Sequence, residues 1–147
     1  MNRSGYTMIE LMIVIVLFGL LIAIAQNRLH PSLEHARVNR AATILATDLQ
    51  YAQMLAVRSR EPVAVLALSS VKGYVVRQRD SAVVYRERFL GTDSEFDLDE
   101  FTATTSSVEL FPNGVALTTT TFTLGLLGYR RQVRITRAGQ VRIIRVP

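Results

Sequence analysis

The fold is decided by the stretch Gly5-Tyr6-Thr7-Met8-Ile9-Glu10 and by the apolar run that follows it as far as Ala25. A short basic leader, residues 1–4, precedes this stretch. A helix over residues 6–25 rises about 1.5 Å per residue and measures about 30 Å, the thickness of the hydrocarbon layer of a bilayer. We therefore predict one membrane-spanning helix, with Arg3 in the cytoplasm and the long C-terminal part translocated.

Glu10 is the only charged residue in this run. A carboxylate in the membrane interior costs about 2.5 to 3.5 kcal/mol on insertion scales unless a cation pairs with it or it reaches the interface. A free amine at Tyr6 would lie four residues earlier on the same face of the helix. An amine on a neighbouring subunit would serve equally well, and the sequence leaves both partners open.

The glycine, the aromatic residue after it and the glutamate five positions past the glycine resemble the class III signal of type IV pilins and type II secretion pseudopilins. The resemblance implies that residues 1–5 are a leader peptide and that a prepilin peptidase cleaves between Gly5 and Tyr6. It further implies methylation of Tyr6 and burial of Glu10 in a filament core. The implied partners are that peptidase, the bacterial inner membrane and other pilins or pseudopilins.

Three other interpretations of the N-terminus remain open. A secretory signal peptide would be cleaved after Ala25, but its hydrophobic region would not contain a glutamate. A plain membrane anchor would place Glu10 at the cytoplasmic interface and leave Gly5 and Tyr6 without a role. A buried helix of a soluble domain conflicts with the length of the apolar run.

Beyond the apolar run, a helical period resumes and is predicted to last until about Arg60, before Pro62. Pro31 predicts a kink near His30. The apolar stripe of this second half needs a cover, which a sheet would provide, and Asp48 is expected outside it. The stripe consists of Leu33, Val38, Ala41, Ala42, Leu45, Leu49, Ala52, Leu55 and Ala56.

Short β-branched runs separated by turn residues follow Pro62 and predict an antiparallel sheet. Seven strands are expected, at 63–68, 74–79, 83–89, 108–111, 121–126, 131–136 and 141–146, and residues 91–107 are expected to form a polar loop. The fold class is therefore α+β, with a long helix over residues 6–60 and a β-rich domain over residues 61–147. The chain has no cysteine, so packing alone must stabilise that domain.

Three further segments resemble the H-type minor pseudopilin of the general secretion pathway and its relative, the fimbrial T-type minor pilin. They are residues 49–65, Phe111-Pro112-Asn113-Gly114 and Gly139-Gln140-Val141-Arg142. The resemblance implies a pilin-like fold and a structural subunit near the tip of a short periplasmic filament that exports folded proteins through the outer membrane. The sequence shows no pair of nucleophile and base, because His30 and His35 lie about 140° apart around a helix and cysteine is lacking, so neither an enzyme nor a cofactor is expected.

Two clusters of charge carry alternative functions. The acidic residues Asp93, Glu95, Asp97 and Asp99 suggest a calcium site, but an EF-hand would need glycine at Leu98 and glutamate at Thr104. Otherwise this loop is solvated, with Phe96 and Leu98 against the sheet.

The C-terminal end is basic in a chain of formal net charge +5. Arg134 is expected to be exposed on a strand, between the buried Val133 and Ile135, while Arg137 and Arg142 flank the Gly139 turn. These three arginines are candidates for contact with DNA phosphates or with a partner subunit. In the fimbrial T-type relatives a Gly-Arg-x-Arg sequence at this place is implicated in DNA binding, but Gln140 replaces its first arginine here. Exposed aromatic residues that could stack on bases are lacking as well.

Overall fold

The computed structural model describes residues 7–146, and it describes no side chains for residues 25–31. Gly5, Tyr6 and the predicted cleavage site between them lie outside the described residues. The chain divides into two compact units, one ending at Leu33 and the other beginning at Glu34. We call the second unit the globular domain.

A single long helix, α1 (Met8–Ser59), forms the N-terminal part of the protein. Its end confirms the helix predicted to run until about Arg60, and Pro31 does not terminate it. The predicted kink near His30 falls among the residues whose side chains are not described. Over the part of the chain that the structure describes, no helix is both long enough and apolar enough to cross a membrane.

Eight strands follow α1 and form two four-stranded antiparallel sheets, where the sequence predicted one sheet. The first sheet has the order β3-β2-β1-β5 and the second has the order β4-β6-β7-β8. The strands are β1 (Val63–Leu68), β2 (Gly73–Gln78), β3 (Val84–Phe89), β4 (Glu100–Ala103), β5 (Ser107–Leu110), β6 (Thr120–Leu126), β7 (Tyr129–Ile135) and β8 (Val141–Arg145).

The prediction of a loop over residues 91–107 was wrong at β4 and at the start of β5. β4 is a short edge strand in which only Phe101 is fully buried. Its sequence, Glu-Phe-Thr-Ala, has no run of β-branched residues of the kind that identified the other strands, so it was not predicted. Backbone pairing with β6, from Glu100 opposite Gly125 to Ala103 opposite Phe122, makes it a strand.

One hydrophobic core unites α1 with both sheets of the globular domain. The aromatic rings of Tyr74, Phe101 and Phe122 connect the two sheets, with centroids 6.3 and 6.2 Å apart along this series. The predicted helical stripe is confirmed at Val38, Ala41, Ala42, Leu45, Leu49, Ala52 and Ala56, which are all buried. Leu33, also assigned to the stripe, is exposed instead.

Candidate functional site

The N-terminal motif contributes its threonine and its glutamate to the start of α1. The backbone N–H of Thr7 donates to Glu10 Oε2 at 3.2 Å, and the backbone N–H of Glu10 donates to Thr7 Oγ1 at 3.3 Å. This reciprocal pair is a capping box, which satisfies two donors that have no partner inside the helix. Glu10 therefore serves the end of its own helix, a role that sequence reasoning missed although Thr-x-x-Glu is visible in the motif.

The first turns of α1 carry apolar side chains all round the helix, and these side chains are exposed. Every large apolar side chain from Met8 to Ile24 is between 44% and 84% exposed. A helix with this pattern requires lipid or other protein around it. We call this segment, residues 8–24, the apolar helix.

Arg134 and Arg142 lie opposite each other on the second sheet, and Arg137 lies in the turn that connects their two strands. Arg134 on β7 is directly opposite Arg142 on β8, so their side chains leave the same face of the sheet. All three are exposed, and among the described residues none has a carboxylate within salt-bridge distance. We call these three arginines the basic face. The exposure predicted for Arg134 and the burial predicted for Val133 and Ile135 are confirmed.

Hydroxyl groups border the basic face. Arg134 Nε donates to Thr121 Oγ1 at 3.2 Å, and an adjacent depression of about 340 Å³ continues the polar surface. It is lined by Thr102, Ala103, Thr104, Thr121, Thr123, Gln132 and Arg134. Other arginines of the C-terminal end have protein partners, because Arg130 pairs with Glu100 at 2.6 Å and Arg131 donates to Asn39 at 2.6 Å. Of these two, only Arg130 has its charge compensated, because Asn39 is neutral.

The acidic loop packs against α1. Glu95 pairs with Arg40 at 3.0 Å, Asp97 lies 3.7 Å from Arg37, and Asp99 accepts the backbone N–H of Leu127 at 2.8 Å. Phe96 and Leu98 are buried, as predicted for a loop that rests on the sheet. In the range that the structure describes, no cluster of three potential metal ligands is present. Three of the four carboxylates thus have roles within the fold.

Asp48 was expected outside the apolar stripe, and that prediction was wrong. Only 1% of the residue is exposed, and Tyr74 Oη donates to Asp48 Oδ2 at 2.7 Å. Arg88 Nε donates to the same oxygen at 2.6 Å, while Arg86 pairs with Oδ1. Residues 41, 45, 48 and 52 share one helical face, so spacing alone could have placed Asp48 in the core.

The charge of Asp48 is compensated inside the domain. Burial, followed by the hydrogen bond to Asp48, raises the pKa of Tyr74 well above its usual range, so the phenol remains protonated and donates. The hydrogen bond to Asp48 also raises the pKa of Arg88. The guanidinium of Arg86 lies 4.5 Å from the ring of Tyr51, on the helix. This cluster joins α1 to the edge strand β3.

The turn at Gly139 contacts both α1 and the turn at Gly114. Gln53 Nε2 donates to the carbonyl of Gly139 at 2.6 Å, and the N–H of Ala116 donates to the carbonyl of Arg137 at 2.9 Å. Gly139 has φ +77°, and a Cβ there would lie 2.1 Å from the carbonyl oxygen of Gly114. Gly139 is therefore needed to close the fold, and the turn it forms positions the basic face.

Two family models account for almost the whole chain. A model described as the prokaryotic N-terminal methylation motif matches residues 1–26, and a model described as type II transport protein GspH matches residues 41–139. The chain belongs to the GspH family. This membership confirms the resemblance to prepilins and to the H-type pseudopilin on which the sequence predictions rested.

Solved structures of a minor pilin and of a minor pseudopilin are similar to the structure of this chain. The type IV minor pilin FimU of Pseudomonas aeruginosa PAO1 matches in two crystal forms, with 24% and 26% identity and TM-scores of 0.57 and 0.58. These matches cover 72% and 78% of this chain and 91% of FimU. The minor pseudopilin EpsH from the type 2 secretion system of Vibrio cholerae has a TM-score of 0.60 at 12% identity, covering 74% of this chain and 97% of EpsH. Among curated proteins, no sequence matches. The α+β pilin-like fold is confirmed.

Proposed function

We propose that this protein is a minor pseudopilin, a structural subunit of a type II secretion pseudopilus and not an enzyme. The observation that carries the proposal is the GspH match over residues 41–139 downstream of a methylation motif in the same chain. The similarity to EpsH supports the same fold, and the name of EpsH places that relative in a type 2 secretion system.

The apolar helix supports a membrane-anchored assembly subunit. Its exposed side chains need an apolar environment all round, which the inner membrane provides before assembly and neighbouring subunits provide in a filament. The proposed topology is a single pass over residues 6–25, with the N-terminus in the cytoplasm and the globular domain in the periplasm. Prepilin peptidase would remove residues 1–5, and Tyr6 would become the methylated first residue.

Blocking the cleavage should abolish function. We expect mass spectrometry of the wild-type protein, extracted from membranes, to show a chain that begins at methylated Tyr6. Gly5→Leu should retain the leader, because a branched side chain does not fit a site shaped for glycine. In cells in which this variant is the sole copy, export through the outer membrane should be lost.

Gly19→Leu is the matched control, since a side chain at Gly19 meets nothing within 4 Å. It makes the same substitution within the apolar helix and should be processed normally. An intact Met1 or an N-terminus at Gln26 in the wild type would contradict the proposal. Loss of pili with normal export would instead favour a type IV pilus.

A second function, a minor type IV pilin that binds incoming DNA, is favoured by two observations. FimU, the relative with 24% and 26% identity, is a type IV minor pilin. In addition, Arg134 and Arg142 lie opposite each other, exposed and without carboxylate partners in the described part of the chain. This arrangement suits phosphates but offers no base readout.

We expect the full-length protein in detergent to bind duplex DNA weakly or not at all. If the basic face contacts phosphates, log K should fall by about 0.9 per contacted phosphate for each tenfold increase in salt, with little sequence dependence. Replacing Arg134, Arg137 and Arg142 by alanine should then abolish binding. A control with the same change of charge replaces Arg37, Arg58 and Arg60. Tight binding at physiological salt that only the first triple variant removes would make the protein a DNA-binding minor pilin.

A further inference from the structure

The hairpin between β6 and β7 contains an unusual residue at its turn. Leu126 pairs with Tyr129, which leaves Leu127 and Gly128 as a two-residue loop. Both loop residues have positive φ, +49° and +88°, as a type I′ turn requires. Asparagine, aspartate or glycine is favoured at the first position, because other side chains are strained in the left-handed region. The backbone conformation at this position is therefore unfavourable for leucine.

The side chain of Leu127 is not buried in the domain either, since 71% of it is exposed. A single exposed leucine is ordinary on a protein surface. Leu127 is unusual because it combines this exposure with a left-handed backbone conformation, which is strained for leucine. Backbone strain of this kind is typical of residues with a role in function.

The end of the hairpin is held from three directions. Asp99 accepts the N–H of Leu127 at 2.8 Å, and the Glu100–Arg130 pair at 2.6 Å crosses over the backbone of Gly125. On the helix side, the ring of Tyr129 stacks on a histidine and its hydroxyl donates to an asparagine. These partners are His35, at 3.8 Å between ring centroids, and Asn39, at 3.2 Å. Leu127 is therefore presented on a rigid support, which lowers the entropy lost when a partner binds.

We propose that Leu127 is a docking residue that inserts into an apolar depression on the globular domain of a neighbouring pilin-type subunit. The charges beside it, Asp99 and Arg130, already have partners, so the tip presents an uncharged contact. His35 and Asn39 belong to the first turns of α1 within the globular domain. His35 and Asn39 follow Leu33 closely in the sequence, so the tip is supported by the part of α1 that comes directly after the first unit, whose apolar helix is proposed to pack among other subunits. The inference rests on the proposed function.

Replacing Leu127 tests the proposal because stability and assembly should change in opposite directions. In the full-length chain in detergent, Leu127→Asn should raise Tm by about 2 to 5 °C by relieving the strained turn. The same variant should weaken association with the neighbouring subunit by about tenfold. Leu117→Asn is the control, because Leu117 is 49% exposed and has no positive φ, and it should change neither quantity. Unchanged association of Leu127→Asn would overturn the proposal.

The absence of cysteine permits a direct test of the contact. Leu127→Cys introduces a single thiol, which a benzophenone maleimide can label and cross-link to any nearby chain in assembling cells. We expect an adduct with a different chain, identified by mass spectrometry as one that carries its own N-terminal methylation motif. Adducts with lipid or only with a second copy, or a yield no higher than from Leu117→Cys, would overturn the proposal. The proposed function is tested by a different result, because a leader retained in the wild-type protein would contradict it without any cross-linking experiment.

Discussion

Asp48→Ala is expected to lower the free energy of unfolding by about 3 kcal/mol. The substitution leaves Tyr74 Oη without its acceptor and Arg86 and Arg88 without their counter-charge at the edge of the core. Breaking a buried ion pair is strongly destabilising for this reason. We place the loss at the low end of the range because 34% of each arginine side chain is exposed and can turn toward water. Denaturant unfolding of the full-length protein in detergent measures it.

Arg37→Ala provides the control, because its pair with Asp97 is long, at 3.7 Å, and half exposed on both sides. That variant should cost less than about 0.5 kcal/mol. Asp48→Asn keeps an acceptor for Tyr74 but removes the charge, and its loss should lie between the other two. A loss for Asp48→Ala as small as that of Arg37→Ala would show that the cluster contributes little to stability.

Glu10→Leu should leave membrane insertion intact or improve it, while incorporation into filaments falls to a small fraction of the wild-type level. The improved insertion follows from removing a carboxylate from the apolar helix. The loss of assembly follows from the proposed pairing of Glu10 with an amine, at Tyr6 of its own chain or of a neighbour. Quantifying the protein in sheared filament and membrane fractions measures both effects.

The capping box supplies a variant that separates two roles of Glu10. Glutamine at the same position can still accept the N–H of Thr7, but it carries no charge. If pairing with an amine is essential, Glu10→Gln should fail to assemble as Glu10→Leu does. If the helix cap is essential, Glu10→Gln should assemble normally. Normal incorporation of Glu10→Leu would contradict both roles and favour a carboxylate that simply reaches the interface.

The sequence by itself determined the long helix, the α+β class and the membership of the prepilin superfamily. The helix and the α+β class depend on local signals, namely apolar periodicity, β-branched runs and proline or glycine at boundaries, each of which acts within a few residues. The superfamily was indicated by the resemblance of the motif from Gly5 to Glu10 to prepilin signals. The end of α1 and strand β1 were therefore predicted to within a residue. The same local signals identified Val133 and Ile135 as buried and Arg134 as exposed.

Only the tertiary structure decided which strands pair with each other and which charged side chains form ion pairs. Helical spacing is enough to place Asp48 on the buried face of α1, but its partners, Arg86 and Arg88, come from a distant strand. β4 exists because β6 supplies its hydrogen bonds, and the strands divide into two sheets that share one core with α1. Such contacts join residues far apart in the chain, where neither propensity nor periodicity carries information. The candidate site shows the same division, since the arginines of the basic face were visible in the sequence but only the pairing of β7 with β8 sets Arg134 opposite Arg142.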